Sequence, residues 1–338
     1  MKKLIWIILV LLIVGAVVWF LTRSSDKEAE ADGQAPAQTE AQAEGQGVSD
    51  AAAVASAIEV VSDTEELAAV CPALGHSWLE LPGQWTADAE HCVTHYAEME
   101  GRQQRNFTML YDEDTYVSYW VAYPLCASHT TTGRQEDWGY DPKVSEDRQT
   151  SVRKGYGASI PTKNYPKNFY ARGHQLPNAD RSRVPQMQAQ TYYSTNMTPQ
   201  IQNGFNGGIW AKLEDAVRKQ IPRDDTLYIV TGAAFRKVNE NLAASTILNK
   251  NDGKTLPVPN YYWKVVLKVK RDADVVTDAS TIGFWLPHED LKGHSYADYV
   301  VSVDQIEQWT GFDFFVNLPD EKEKAAETNE SWQSFQTF

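Results

Sequence analysis

Two kinds of hydrophobic pattern run along the chain. From Leu4 to Leu21, 18 apolar residues follow one another without a break, directly after Lys2 and Lys3. As a helix this run is ~27 Å long, enough for a bilayer core. Thr22-Arg23-Ser24-Ser25 follows it, with no small-residue cleavage site, so the pattern predicts an uncleaved signal anchor. The two lysines predict a cytoplasmic N-terminus with the remainder exported. Further on, the pattern becomes that of a folded domain. Thr115–Tyr123, Leu227–Val230, Tyr261–Val269 and Thr281–Leu286 are rich in β-branched and aromatic residues and predict strands. Ile209 to Gln220 predicts a helix, with Trp210, Leu213 and Val217 spaced for one buried face. Val303 to Trp309 predicts a short late helix. The elements do not alternate as regular βαβ units, so the expected class is α+β.

Between the two patterns, Asp26 to about Ala57 is rich in Ala, Glu, Gln, Gly and Ser and reads as a flexible acidic tether. The expected organisation is a transmembrane anchor over residues 1–24, a linker over 25–60 and one folded domain over 61–338.

Composition sharpens this picture. Of 338 residues, 42% are hydrophobic and 11% aromatic, which excludes a wholly disordered or collagenous protein. The net charge of -14 argues at first against a polyanionic partner. Residues 1–100, however, carry 4 basic and 16 acidic residues, whereas residues 101–320 carry 25 of each. Within that neutral body, Lys143 to Arg183 holds nine basic and three acidic residues. Such a strip suits either an anionic ligand or a solvated surface.

The cysteines are Cys71, Cys92 and Cys126. In an oxidising compartment Cys71 and Cys92 could close a disulfide that leaves Cys126 out, although spacing alone does not select this pairing. His91 and His95 bracket Cys92 and would share a helix face, but no Glu follows the first of them as a metalloprotease pattern requires.

Two constellations carry chemistry. Tyr170-Ala171-Arg172-Gly173-His174-Gln175 places a fixed cation two residues before a histidine, with a glycine between that permits an unusual angle or a close approach. Ser194-Thr195-Asn196-Met197-Thr198-Pro199-Gln200 leads into Phe205-Asn206-Gly207-Gly208-Ile209-Trp210-Ala211-Lys212-Leu213-Glu214. On one straight helix, Asn206 and Glu214 would lie two turns apart on roughly one face, with α-carbons ~12 Å apart. At that separation both cannot ligate one ion directly. An Asn oxygen acting directly and a Glu acting through water would suit Mg²⁺.

These segments, RGHQ, NMTPQ and FNGGIWAKLE, resemble in order and spacing the DNA/RNA non-specific endonuclease family with its ββα-metal active site. The resemblance extends through Val230-Thr231-Gly232, Pro259-Asn260-Tyr261-Tyr262-Trp263-Lys264, Ile282-Gly283-Phe284 and Val303-Asp304-Gln305-Ile306-Glu307, covering roughly residues 75–325. It implies a ββα-metal core built on a mainly antiparallel sheet flanked by helices. It also implies hydrolysis of phosphodiester bonds in DNA and RNA with little sequence specificity, leaving 5′-phosphate ends.

Carried over by motif, His174 is similar to the general base and Asn206 to the direct Mg²⁺ ligand, with Mn²⁺ as a substitute ion. Glu214 is similar to the residue that orients the ion's water. Arg172 is similar to a phosphate-contacting cation, and Asn196 to an Asn that supports the site by hydrogen bonding near the metal and base and is counted with Arg172 and Arg134 among the substrate-binding residues. Arg134, before Trp138 and Asp141-Pro142, stands where the family often has another phosphate-contacting Arg, although the spacing is inexact. The family also contains homodimers.

One departure matters: Ala171 replaces the family's usual Asp. A membrane-tethered nucleic-acid-binding protein of the same fold without turnover is therefore the competing reading. Another is a phosphodiesterase acting on an envelope substrate. Anchor and tether place the expected enzyme on a bacterial cell membrane, spanning it once, with its catalytic domain in the periplasm or outside the cell.

Overall fold

The computed structural model describes residues 78–83 and 91–338. The expected signal anchor, the acidic linker and Cys71 lie outside the described residues. Among the described residues, no helix is long and apolar enough to cross a membrane.

The first three strands are β1 (Cys92–Met99), β2 (Arg102–Asp112) and β3 (Val117–Leu125). A hairpin follows, made of β4 (Tyr170–His174) and β5 (Met197–Ile201), with helix α1 (Pro185–Gln190) in the connection. Helix α2 (Ala211–Arg218) leads into β6 (Leu227–Ala234), and β7 (Thr246–Leu248) and β8 (Thr255–Pro257) form a small ribbon. The long hairpin of β9 (Tyr261–Asp272) and β10 (Val275–Pro287) precedes the short β11 (Val300–Val301). Three helices close the chain: α3 (Val303–Thr310), α4 (Asp320–Ala326) and α5 (Trp332–Thr337).

Seven strands form one sheet in the order β1-β2-β3-β6-β9-β10-β11. Every pairing in it is antiparallel. The α+β reading therefore holds, and the strands expected from β-branched and aromatic runs are its central members. Both faces of this sheet are covered. Val121, Tyr123, Ile229, Tyr262, Val266 and Phe284 join a core with Phe205, Trp210 and Leu213. Their strand neighbours Trp120, Val230, Trp263, Val265 and Trp285 join a second core with Val303, Ile306 and Phe314. The period-2 alternation of strands thus feeds two apolar layers, which is why these strands read as unbroken hydrophobic runs.

His91 and His95 do not share a helix, since Cys92–Met99 is a strand. His95 is buried there, with its Nε2 2.8 Å from Asp141 Oδ2, so it is engaged structurally. Cys126 is disulfide-bonded, which settles a point that the cysteine spacing left open. The helix expected from Ile209 is present, with Ile209 and Trp210 in helical conformation ahead of α2, and it follows a wide-turned stretch from Gln202 whose angles are non-helical at Asn203, Gly204, Gly207 and Gly208. Three glycines in that stretch lower the penalty for leaving helical geometry.

Candidate active site

The hairpin β4–β5, the irregular stretch and α2 form one continuous ββα unit. Register places Ala171 opposite Gln200, Gly173 opposite Thr198 and His174 opposite Met197. The need for Gly173 comes from crowding rather than from its backbone angle. A Cβ there would sit 2.2 Å from the Gln200 side chain, so only glycine lets β5 approach this closely. Gly204 has a different reason, adopting φ +89°, which favours glycine, in the turn that redirects the chain toward α2.

A cavity of about 910 Å³ opens over this unit. Arg134, Arg172, His174, Asn206 and Glu214 all line it, as does Ala171. The sequence therefore named five residues that the fold brings together from three separate segments. Asn196 is the exception. It is fully buried and does not line the cavity. Its Oδ1 accepts the Leu176 N–H at 2.9 Å, and its Nδ2 donates to the carbonyls of Leu176 and Thr191 at 3.0 and 2.8 Å. These bonds fix the chain two residues beyond His174, so the expected contact of Asn196 with substrate is replaced by a bracing role in the loop.

His174 sits at the end of β4 against two aromatic rings, 5.5 Å from Trp138 and 5.3 Å from Tyr192 between centroids. Its Nε2 is shut off from solvent and has no hydrogen-bond partner. Burial, reinforced by the positive charges of Arg134 and Arg172, pulls its pKa down to about 3, so the imidazole is neutral. His288 provides the contrast. Its Nε2 accepts the Ile201 N–H and its Nδ1 bonds the Pro259 carbonyl, each at 2.8 Å. Both nitrogens of His288 are spoken for by backbone, which makes it a structural histidine pinning the end of β5.

The Arg172 guanidinium stacks on Trp138, 3.6 Å from the ring centroid, and donates to the carbonyls of Val152 and Arg153 at 3.2 and 3.1 Å. These contacts hold the cation at the rim. Arg134 is half-exposed, lies 5.8 Å over the Tyr192 ring and pairs with Glu136 at 3.1 Å. Asn206 donates through Nδ2 to Gln202 Oε1 at 3.0 Å, which orients the amide and leaves Oδ1 as its acceptor.

Glu214, in the first turn of α2, stands over a charge network that sequence reasoning missed. Burial raises its carboxyl pKa, while Lys264 and Arg218 oppose that rise and Asp180 adds to it. Arg218 Nε donates to Asp180 Oδ1 at 2.6 Å, and Tyr123 donates its hydroxyl to Asp180 Oδ2 at 3.1 Å. Lys264 is 1% exposed, and its Nζ lacks a hydrogen-bond partner. Burial lowers its pKa and the Glu214 charge restores part of it. One signal could have found it: a lysine in the middle of Tyr261–Val269, on the face shared with Tyr262 and Val266.

The chain is similar to several known proteins. A family model described as DNA/RNA non-specific endonuclease matches residues 89–321. The chain is 30% identical over 217 residues to a nuclease of Serratia marcescens, covering 64% of this chain and 74% of that protein. It is 27% identical over 239 residues to a mitochondrial nuclease of Saccharomyces cerevisiae, covering 68% of each. Among solved structures, a crystal structure of the EndoG/EndoGI complex aligns with a TM-score of 0.50 at 19% identity, covering 68% of this chain and 89% of that one. At this identity the structural likeness speaks for the fold alone. The family match spans well over half of the chain and the curated relatives are nucleases: this protein belongs to the DNA/RNA non-specific endonuclease family and is a phosphodiester hydrolase.

Proposed function

We propose that the chain is a metal-dependent endonuclease that cuts DNA and RNA with little sequence specificity and leaves 5′-phosphate ends. The observation that carries this reading is the convergence of Arg134, Arg172, His174, Asn206 and Glu214 on one cavity. The residues present fit a Mg²⁺ ion, with Mn²⁺ as a substitute. Asn206 Oδ1 and the Glu214 carboxylate are oxygen donors of the kind Mg²⁺ prefers, the first acting directly and the second through water. When bound, the ion would neutralise charge that builds on the phosphate oxygens and on the departing 3′ oxygen.

The chain's own residues do the rest. Neutral His174 takes a proton from the attacking water, whose oxygen bonds to phosphorus as the 3′ oxygen leaves. Arg172 and Arg134 hold the phosphate by charge. Arg172 is the firmer of the two, because its stacking on Trp138 fixes its position before substrate arrives. Contacts of this kind go to the phosphate backbone and carry little sequence information. Salt should therefore weaken binding strongly. The same reading has the N-terminal segment hold the enzyme on a bacterial membrane, with the catalytic domain exported.

Nicking of supercoiled plasmid tests the mechanism. Wild-type protein should cut in Mg²⁺ and not in EDTA. His174→Ala should lose roughly 10²–10⁴ in rate, the range of a general base. Equal cutting in EDTA, or a fully active His174→Ala variant, would refute it. Ala171 favours a second reading, a binding module without turnover. That reading requires the wild type to bind DNA without cutting it, and Ala171→Asp to begin cutting.

A further inference from the structure

The opposite face of the sheet carries a second group of carboxylates that the nuclease site does not use. Asp304 and Glu307 are three residues apart on α3, so they share one helix face. Glu323 on α4 and Glu327 at its C-terminal end are four apart, and the Glu327 N–H bonds the Glu323 carbonyl at 3.1 Å. The Glu327 carbonyl in turn accepts the Val303 N–H at 3.0 Å, which joins the end of α4 to the start of α3. The fold therefore presses two acidic faces together.

Carboxylate oxygens of Asp304, Glu307 and Glu327 all lie within 4.8 Å of one another, about twice a Ca–O bond length of ~2.3–2.6 Å. Glu327 is 5% exposed, and its Oε1 is buried with no hydrogen-bond partner. A buried, unpaired carboxylate among like charges is costly unless something compensates it. The charges that weigh most on Glu327 are Glu307, Glu323, Asp304 and Asp313, every one of them acidic. Glu307 has one oxygen committed, since Oε1 accepts the Phe314 N–H at 2.8 Å, and this ties the Phe312–Phe315 segment to the same point. Glu327 also lies beyond residues 89–321, the span of the family match.

We propose that Asp304, Glu307 and Glu327 form a structural site for a divalent cation of the calcium class, separate from the nuclease cavity. Three carboxylates at this spacing offer oxygen ligands to a hard cation that accepts irregular geometry and completes its shell with water. The ion would lock α3 to the C-terminal end of α4, on the core formed by Val303, Ile306 and Phe314.

The test is Ca²⁺ calorimetry and thermal unfolding on the full chain after EDTA treatment, comparing wild type with Asn206→Ala and Glu327→Gln. Asn206→Ala impairs the nuclease site and leaves this one intact. Wild type and Asn206→Ala should each bind one Ca²⁺ at this site and gain thermal stability from it. Glu327→Gln should bind at least tenfold more weakly and lose the thermal gain. If Glu327→Gln does not fold, Asp304→Asn, at a half-exposed position, should weaken binding in the same direction. Ca²⁺ binding that disappears in Asn206→Ala and persists in Glu327→Gln overturns the proposal, as does an absence of Ca²⁺ binding in both wild type and Asn206→Ala.

Discussion

Glu214 and Glu327 are carboxylates with raised pKa values, the first half-buried and the second buried, yet they sit in opposite electrostatic settings on the two faces of one sheet. Burial lifts Glu214, and Lys264 and Arg218 hold it back. Burial also lifts Glu327, to about 9, and its principal neighbours, all acidic, lift it further. The first setting keeps a carboxylate near ionisation where chemistry needs its charge. The second stores like charge that only a proton or a cation can relieve. Desolvation alone therefore does not identify an active-site acid; the sign of the surrounding charges separates the two cases.

The largest effect should come from removing the cation beneath Glu214. Lys264→Met takes away the charge that favours the Glu214 carboxylate, so that group's pKa should rise further. Activity at pH 7 should fall about tenfold for each unit of that rise, and the acid limb of kcat/KM should move to higher pH. Because the substitution also breaks a buried charge pair, the midpoint of urea unfolding should fall. An unchanged pH profile would sever the link between Lys264 and the nuclease site.

A smaller effect is expected at Glu327. Its folded pKa of about 9 lies above that of an unfolded Glu, so between the two values the folded chain holds a proton that the unfolded chain has released. Stability in EDTA should therefore decline as pH rises from about 4 toward 9, the window set by the ordinary Glu value and the raised one. Glu307 and Glu323, each raised to about 7 by burial and neighbouring acids, contribute in the same direction. Glu327→Gln, which cannot ionise, should flatten the decline in a pH series of urea midpoints, and Ca²⁺ should flatten it for wild type. A slope that Glu327→Gln leaves untouched would assign the pH dependence elsewhere.

The smallest expected change is none at all. With a pKa near 3, His174 in metal-free protein should stay neutral between pH 5 and 8, read from its imidazole resonances by NMR. A midpoint near 6.5 would mean that the ring is solvated and that the two sites differ less than their burial suggests.

Much of this organisation could be read without coordinates. The strands Thr115–Tyr123 and Tyr261–Val269 declared themselves by β-branched and aromatic runs, because a strand buried on both faces has no polar side to interrupt the pattern. Arg172, His174, Asn206 and Glu214 were legible because the segments that carry them resemble the motifs of the DNA/RNA non-specific endonuclease family. The same reading failed where the answer depends on partners distant in sequence. Asn196 looked like a site residue, and its amide is consumed by Leu176 and Thr191. Whether Cys126 enters a disulfide was open, because spacing carried no information on the pairing. Asn206 and Glu214 were placed on one straight helix, and the glycines between Gln202 and Trp210 break it.

What the sequence determined by itself was local: the α+β class and the core strands, which follow from periodicity, and the candidate site residues, which follow from short motifs that resemble those of a nuclease family. Tertiary structure decided which charges face one another. Lys264 lies under Glu214 because β9 pairs beside β6, and Glu327 meets Asp304 and Glu307 because α4 ends against α3. Electrostatic interaction depends on distance in space and on exclusion of water, and neither quantity is written in the order of residues.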